Sequence, residues 1–96
     1  TTCHWNNNGT TASYGLPRNL STPTEFHVYS LDWRAGTIIA LIDDVETYAF
    51  STNSTMPFDA NFFLIFNLAM GGSNGGTIDP NFTTDAMEVD YIRVYQ

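Results

Sequence analysis

Alternate residues of an extended chain share a face, so polar side chains set two apart are the natural place to look for chemistry. His4 and Asn6 form one such set, beside Trp5, which points the other way on a regular strand. Glu88 and Asp90 form another and are the nearest approach to a carboxylate pair for acid–base work, but no further acid extends the series. Asp43 and Asp44 are adjacent and would face opposite ways if extended, so they read as a turn. The fourth position is Asn67, alone in the apolar run FFLIFNLAMGG at residues 62–72. An amide left unpaired in a core costs about 1–3 kcal/mol. Asn67 is therefore either satisfied by neighbouring backbone or faces an open surface, where it can both donate to and accept from hydroxyl groups.

Charge narrows the partners. The chain has 96 residues, three Lys and Arg together, and a net charge of −7. It has almost no cation with which to neutralise phosphates, which excludes nucleic acid and anionic membrane surfaces as partners. No apolar run approaches the ~20 residues of a membrane span. The chain opens on Thr1-Thr2-Cys3 instead of a Met or a charged and apolar leader, so its true beginning is expected elsewhere. Cys3 is the sole cysteine, which excludes a disulfide within the chain and favours a small buried residue. Asn-x-Ser/Thr triplets at Asn8, Asn19, Asn53 and Asn81 mark exposed, turn-rich loops and would be glycan acceptors in a eukaryotic secretory pathway.

The elements that must carry these groups follow period two, and no segment holds a 3.6-residue pattern long enough for a helix. The fold is expected to be all-β. TTCHW reads as a short strand ending in the turn NNNG, and YGLPRNLSTPTE as a loop. FHVYSLDW alternates, with His27, Tyr29, Leu31 and Trp33 on one face, where Trp33 is most economically core. A hairpin is predicted from strands 37–42 and 45–50 joined across Asp43-Asp44. STNSTMPFDA is a loop with a helical turn near Pro57, and strands are predicted over 62–70 and in the closing MEVDYIRVYQ. The six strands suggest a two-sheet sandwich but are fewer than such folds commonly need, so residues 1–96 are read as the C-terminal part of a larger domain.

EFHVYSLDW followed by a hairpin, then PFDANFFLIFNLAMGG, and finally MEVDYIRVYQ together resemble the C-terminal half of a family-16 glycoside hydrolase of the laminarinase (endo-β-1,3-glucanase) type. The turn departs from the usual Asp-Gly by carrying Asp43-Asp44. The resemblance implies a concanavalin-like β-jelly-roll sandwich with a β-glucan cleft across its concave sheet. It also implies a retaining mechanism, with a nucleophilic and an acid/base carboxylate about 5–5.5 Å apart. In the family both lie on one strand in a Glu-x-Asp-x-(x)-Glu pattern. That pattern is absent here, so no catalytic residue is assigned and both are expected upstream of Thr1 in a missing N-terminal half.

By the same resemblance, His4 and Asn6 face the cleft beside the catalytic strand, and Asn67 faces it with Ala69. Ala69 is small where some relatives carry an aromatic, leaving that subsite without a stacking platform. Trp5 belongs to the core or stacks on a pyranose ring. No cofactor is required; Asp90 would contribute one carboxylate to a structural calcium ion in the full domain, and that ion would bind weakly without its partners. A secreted or cell-surface location is implied. The alternative reading is a non-catalytic carbohydrate-binding module, and linkage specificity among β-1,3, mixed-linkage and galactan backbones stays open.

Overall fold

The computed structural model describes residues 2–15 and 24–96. The chain divides into two units, one ending at Asn61 and one running from Phe62 to Gln96.

The first unit opens with β1 (Cys3–Asn7) and β2 (Thr10–Tyr14), an antiparallel pair in which Trp5 faces Ala12 and Cys3 faces Tyr14. Asn8 and Gly9 join them with φ of 51° and 84°. Two positive φ values in a two-residue loop make a type I′ turn, whose twist matches that of the strands. The turn was legible in NNNG; β2 was not foreseen, and only its last residue, Tyr14, falls where the loop was expected to begin. The loop prediction for residues 16–23 lies outside the described residues.

A three-stranded antiparallel meander follows: β3 (Tyr29–Arg34), β4 (Thr37–Ile42) and β5 (Val45–Ser51). The hairpin predicted over 37–50 is present, with Asp43 and Asp44 at φ of 52° and 61° in another type I′ turn. Its register shifts once, between Ala40 and Leu41, where Ala40 faces Tyr48 and Leu41 faces Glu46. Thr47 is therefore the extra residue of a β-bulge, and its hydroxyl donates to the Ala40 carbonyl at 2.9 Å. The bulge brings Tyr48 and Phe50 onto the face already formed by Ile38, Ala40 and Ile42.

That face is the core. Ile38, Ala40, Ile42 and Tyr48 are buried, and hiding each large aliphatic side chain contributes about 1.5–3 kcal/mol. Aromatic rings close it: Trp5 stacks on Phe50 with centroids 5.7 Å apart, Tyr14 meets Tyr48 edge-on at 5.8 Å, and Phe58 meets Phe50 at 5.8 Å. The β1–β2 pair is thus tied to β5 through its inward side chains.

Trp33 corrects the sequence reading. Its pairing with Ile38 places it on the core face as predicted, but it is 41% exposed, and Leu31 and Tyr29 beside it are more so. The rings of the first hairpin lie against β5, at the far side of the sheet from β3.

The second unit contains one helical turn, α1 (Gly72–Gly75), and no strand. The strands predicted over 62–70 and within 87–96 are not formed here, and neither is the helical turn near Pro57, where residues 54–59 make irregular turns. Alternation marks a segment that is able to pair, but a strand exists only with a neighbour to take its backbone hydrogen bonds, and among the described residues neither segment has one. Phe62, Leu64, Phe66 and Leu68 are accordingly exposed. The expectation of an all-β fold holds, with two antiparallel sheets, while the jelly roll is incomplete in this chain.

Candidate functional site

β1 is where the structure organises predicted site residues most clearly. His4 and Asn6 are exposed together on its outer face, while Cys3 and Trp5 turn inward and are half-buried. The first residue of the pair has no side-chain hydrogen bond among the described residues. Asn6 already has one task, since its Oδ1 accepts the Gly9 N–H at 2.7 Å and braces the turn. Trp5 is held on one side by the nearly parallel Phe50 ring and tilted against Phe58 at 5.7 Å. This fixes the indole as an anchor for the hairpin.

Burial governs the inner side of β1. Desolvation pushes the Cys3 thiol above its ordinary pKa. Tyr48 is raised too, chiefly by desolvation and secondarily by the Cys3 charge. A thiol so placed is protonated at neutral pH and is a packing residue, since nucleophilic chemistry belongs to the thiolate.

The second unit carries the remaining predicted positions. Asn67 and Ala69 are exposed, and so are Glu88 and Asp90. With residues 62–70 and 87–96 in no ladder, the alternation that would aim Asn67 at a cleft or set Glu88 beside Asp90 on one face is not enforced here.

The carboxylates with described partners are committed to structure. Asp32 receives Arg34 in a two-pronged pair, Nε to Oδ1 at 2.7 Å and Nη2 to Oδ2 at 2.6 Å; the hydrogen bond and then the charge of Asp32 raise the pKa of the exposed guanidinium. Asp43 pairs with His27. Asp79 accepts the Asn81 N–H at 2.8 Å in a turn, and Asp85 accepts the N–H of Ala86. Among the described residues no three His, Cys, Asp or Glu gather as metal ligands. Asp90 alone does not fit calcium, which takes six to eight oxygens.

Two hollows went unnoticed in the sequence. One of about 530 Å³ is bordered by Trp33, Arg34, Asn53, Phe58 and Asp59, and one of about 400 Å³ by Tyr29, Leu31, Ala40 and Tyr48. Their walls come from stretches distant in sequence; the register of β3, β4 and β5 assembles them, and no local spacing announces it. No helix among the described residues is long and apolar enough to cross a membrane.

Comparison with known proteins gives the chemistry a family. The chain is 37% identical over 93 residues to a beta-glucanase of Rhodothermus marinus, covering 85% of this chain and 32% of the relative. It is 33% identical to glucan endo-1,3-beta-glucosidase A1 of Niallia circulans, covering 94% of this chain and 15% of the relative. A keratan-sulfate endo-1,4-beta-galactosidase of Sphingobacterium multivorum is 32% identical, with 94% of this chain and 22% of the relative covered. The chain thus spans about a third or less of the length of each of these relatives. No solved structure gives a significant match. The family model described as glycosyl hydrolases family 16 matches residues 1–93, and the chain belongs to that family.

Proposed function

We propose that this chain is the C-terminal part of a secreted endo-β-1,3-glucanase domain, forming one wall of a glucan cleft whose catalytic carboxylates lie upstream of Thr1. The observation that carries this reading is the family match across residues 1–93 in a chain without the Glu-x-Asp-x-(x)-Glu pattern. Retaining hydrolysis needs one carboxylate to attack the anomeric carbon and a second to protonate the leaving oxygen. The acids of this chain with described partners hold turns and ion pairs. In the proposed domain the upstream strand supplies both carboxylates, and His4 and Asn6 on the exposed face of β1 hydrogen-bond the sugar beside them. Asn67 contributes an amide to the same cleft once residues 62–70 gain strand neighbours. The apolar side chains left exposed on β3 and along 62–70 are the surfaces that the rest of the domain covers. β-1,3-Glucan is preferred over other backbones because two of the relatives named above are named for glucan and one of these for its 1,3 linkage. A polymer of that size is met outside the cell, which is the basis for proposing secretion. A structural calcium would need oxygens from the upstream half in addition to Asp90.

Reading the coding sequence immediately upstream of Thr1 tests this proposal. A Glu-x-Asp-x-(x)-Glu strand there is the expected result; a linker or an unrelated domain would instead favour a glycan-binding module that does not cut.

A further inference from the structure

We propose that Asn53 is an acceptor for an N-linked glycan, used in preference to Asn8 and Asn81 whenever the chain enters a glycosylating secretory compartment. All three open an Asn-x-Thr triplet, so the motif alone does not rank them. Their geometry does.

Asn53 is exposed in the loop that follows β5. Its side-chain Oδ1 accepts two hydrogen bonds from the third residue of the triplet, the Thr55 N–H at 2.9 Å and the Thr55 hydroxyl at 2.6 Å. Its main-chain carbonyl accepts the Met56 N–H at 3.0 Å, closing the turn. Oδ1 takes both donors, and Nδ2, at the other end of the amide, makes no hydrogen bond among the described residues. Two hydrogen bonds into Oδ1 also draw electron density toward oxygen and make an Nδ2 proton easier to remove.

The other two triplets lack this arrangement. Asn81 Nδ2 donates to Asp79 Oδ1 at 3.2 Å, so the atom that must react is already engaged. Asn8 sits in the type I′ turn at φ 51°, and its third residue, Thr10, is paired with Asn7 in the β1–β2 ladder. Neither Asn8 nor Asn81 shows a hydrogen bond from its threonine hydroxyl among the described residues. Asn19 lies outside the described residues.

The donor is a sugar held on a polyprenyl diphosphate. The bond from Asn53 Nδ2 to the anomeric carbon forms as the bond from that carbon to the phosphate oxygen breaks. The diphosphate leaves with the electron pair, and the transferase takes the amide proton.

The test expresses the whole chain behind a secretion leader in eukaryotic cells, with Asn19→Gln in the background. Glycans are released from total cell protein by an amidase in heavy-oxygen water, and each former acceptor is counted by peptide mass spectrometry as a labelled Asp. Using total protein removes any dependence on folding yield. The expected result is that most label falls at Asn53, that Thr55→Ser keeps it, and that Thr55→Val, which retains shape without the hydroxyl, loses it. An unlabelled Asn53, or label at Asn8 or Asn81 equal to or above that at Asn53, would overturn the proposal.

Discussion

His27 Nδ1 lies 2.8 Å from Asp43 Oδ2, so the residue ahead of β3 is fastened to the tip of the β4–β5 hairpin sixteen positions later. The clasp has two further strands: Asp43 Oδ1 accepts the Val28 N–H at 2.9 Å, and the Asp43 N–H donates to the Val28 carbonyl at 2.9 Å. One aspartate thus makes the turn and closes the edge of the sheet.

Replacing that side chain separates its two roles. Asp43→Ala removes both carboxylate contacts and places a Cβ without compensating hydrogen bonds at φ 52°. A loss of about 1–2 kcal/mol is expected, toward the low end for charge-assisted bonds because the site is partly exposed. Asp44→Gly should do the reverse, adding about 0.5–1 kcal/mol, since φ 61° at the second turn position suits glycine. Urea midpoints of the folded protein check both signs, and an Asp43→Ala midpoint equal to that of the parent would show that the clasp contributes nothing.

Alkaline pH should weaken the first unit. Cys3 and Tyr48 both have pKa values raised above their ordinary 9.0 and 10.0, mainly by burial. Each group therefore holds its proton more tightly folded than unfolded. Their contribution to stability is whole below the ordinary values and is lost as pH rises through the raised folded ones. Unfolding midpoints measured from pH 8 upward should fall, and Cys3→Ala should flatten part of that fall. A Cys3→Ala protein with an unchanged alkaline slope would contradict the assignment.

Residues 62–70 carry no charge and no proline, and their apolar side chains are exposed in this chain. Such a segment is a template for pairing between copies. Self-association of the isolated chain is predicted, slowed at neutral pH by the net charge of −7 and promoted when salt screens it. Light scattering should rise with ionic strength and drop in Leu64→Lys. A monodisperse monomer that unfolds cooperatively at low and high salt would mean that the chain is complete as a small domain.

Within the proposed full-length hydrolase, Asn67→Ala should reduce kcat/KM on β-1,3-glucan by ~10-fold, the loss of one hydrogen bond made to substrate. Its Tm should stay close to that of the parent. A large fall in Tm with unchanged kinetics would identify Asn67 as a structural amide.

The sequence and the structure agree best where the signal is local. Asn8-Gly9 and Asp43-Asp44 name their own turns because positive φ selects those residue types, and β4 forms over the residues predicted for it, with Ile38, Ala40 and Ile42 as its buried face. Trp33 shows where local reading stops: its face follows from register, but its burial depends on what covers that face. The same distinction explains residues 62–70 and 87–96, whose pattern is that of strands and whose pairing requires a neighbour absent from the described residues. Of the candidate site, the shared exposed face of His4 and Asn6 was readable from their spacing. The tie between Asn6 and Gly9 was less so, and the aromatic seat of Trp5 not at all, since Phe50 and Phe58 come from far along the chain.

The central claim is that this chain builds a hydrolase cleft whose carboxylates come from upstream. It is tested most directly by assaying reducing-sugar release from laminarin with two proteins, the 96-residue chain alone and the same chain preceded by its native upstream segment. The account predicts internal cleavage by the longer protein and none above the no-protein control by the chain alone. Cleavage by the chain alone that disappears on Glu88→Gln or Asp90→Asn would contradict it, as would a longer protein that binds laminarin without cutting it.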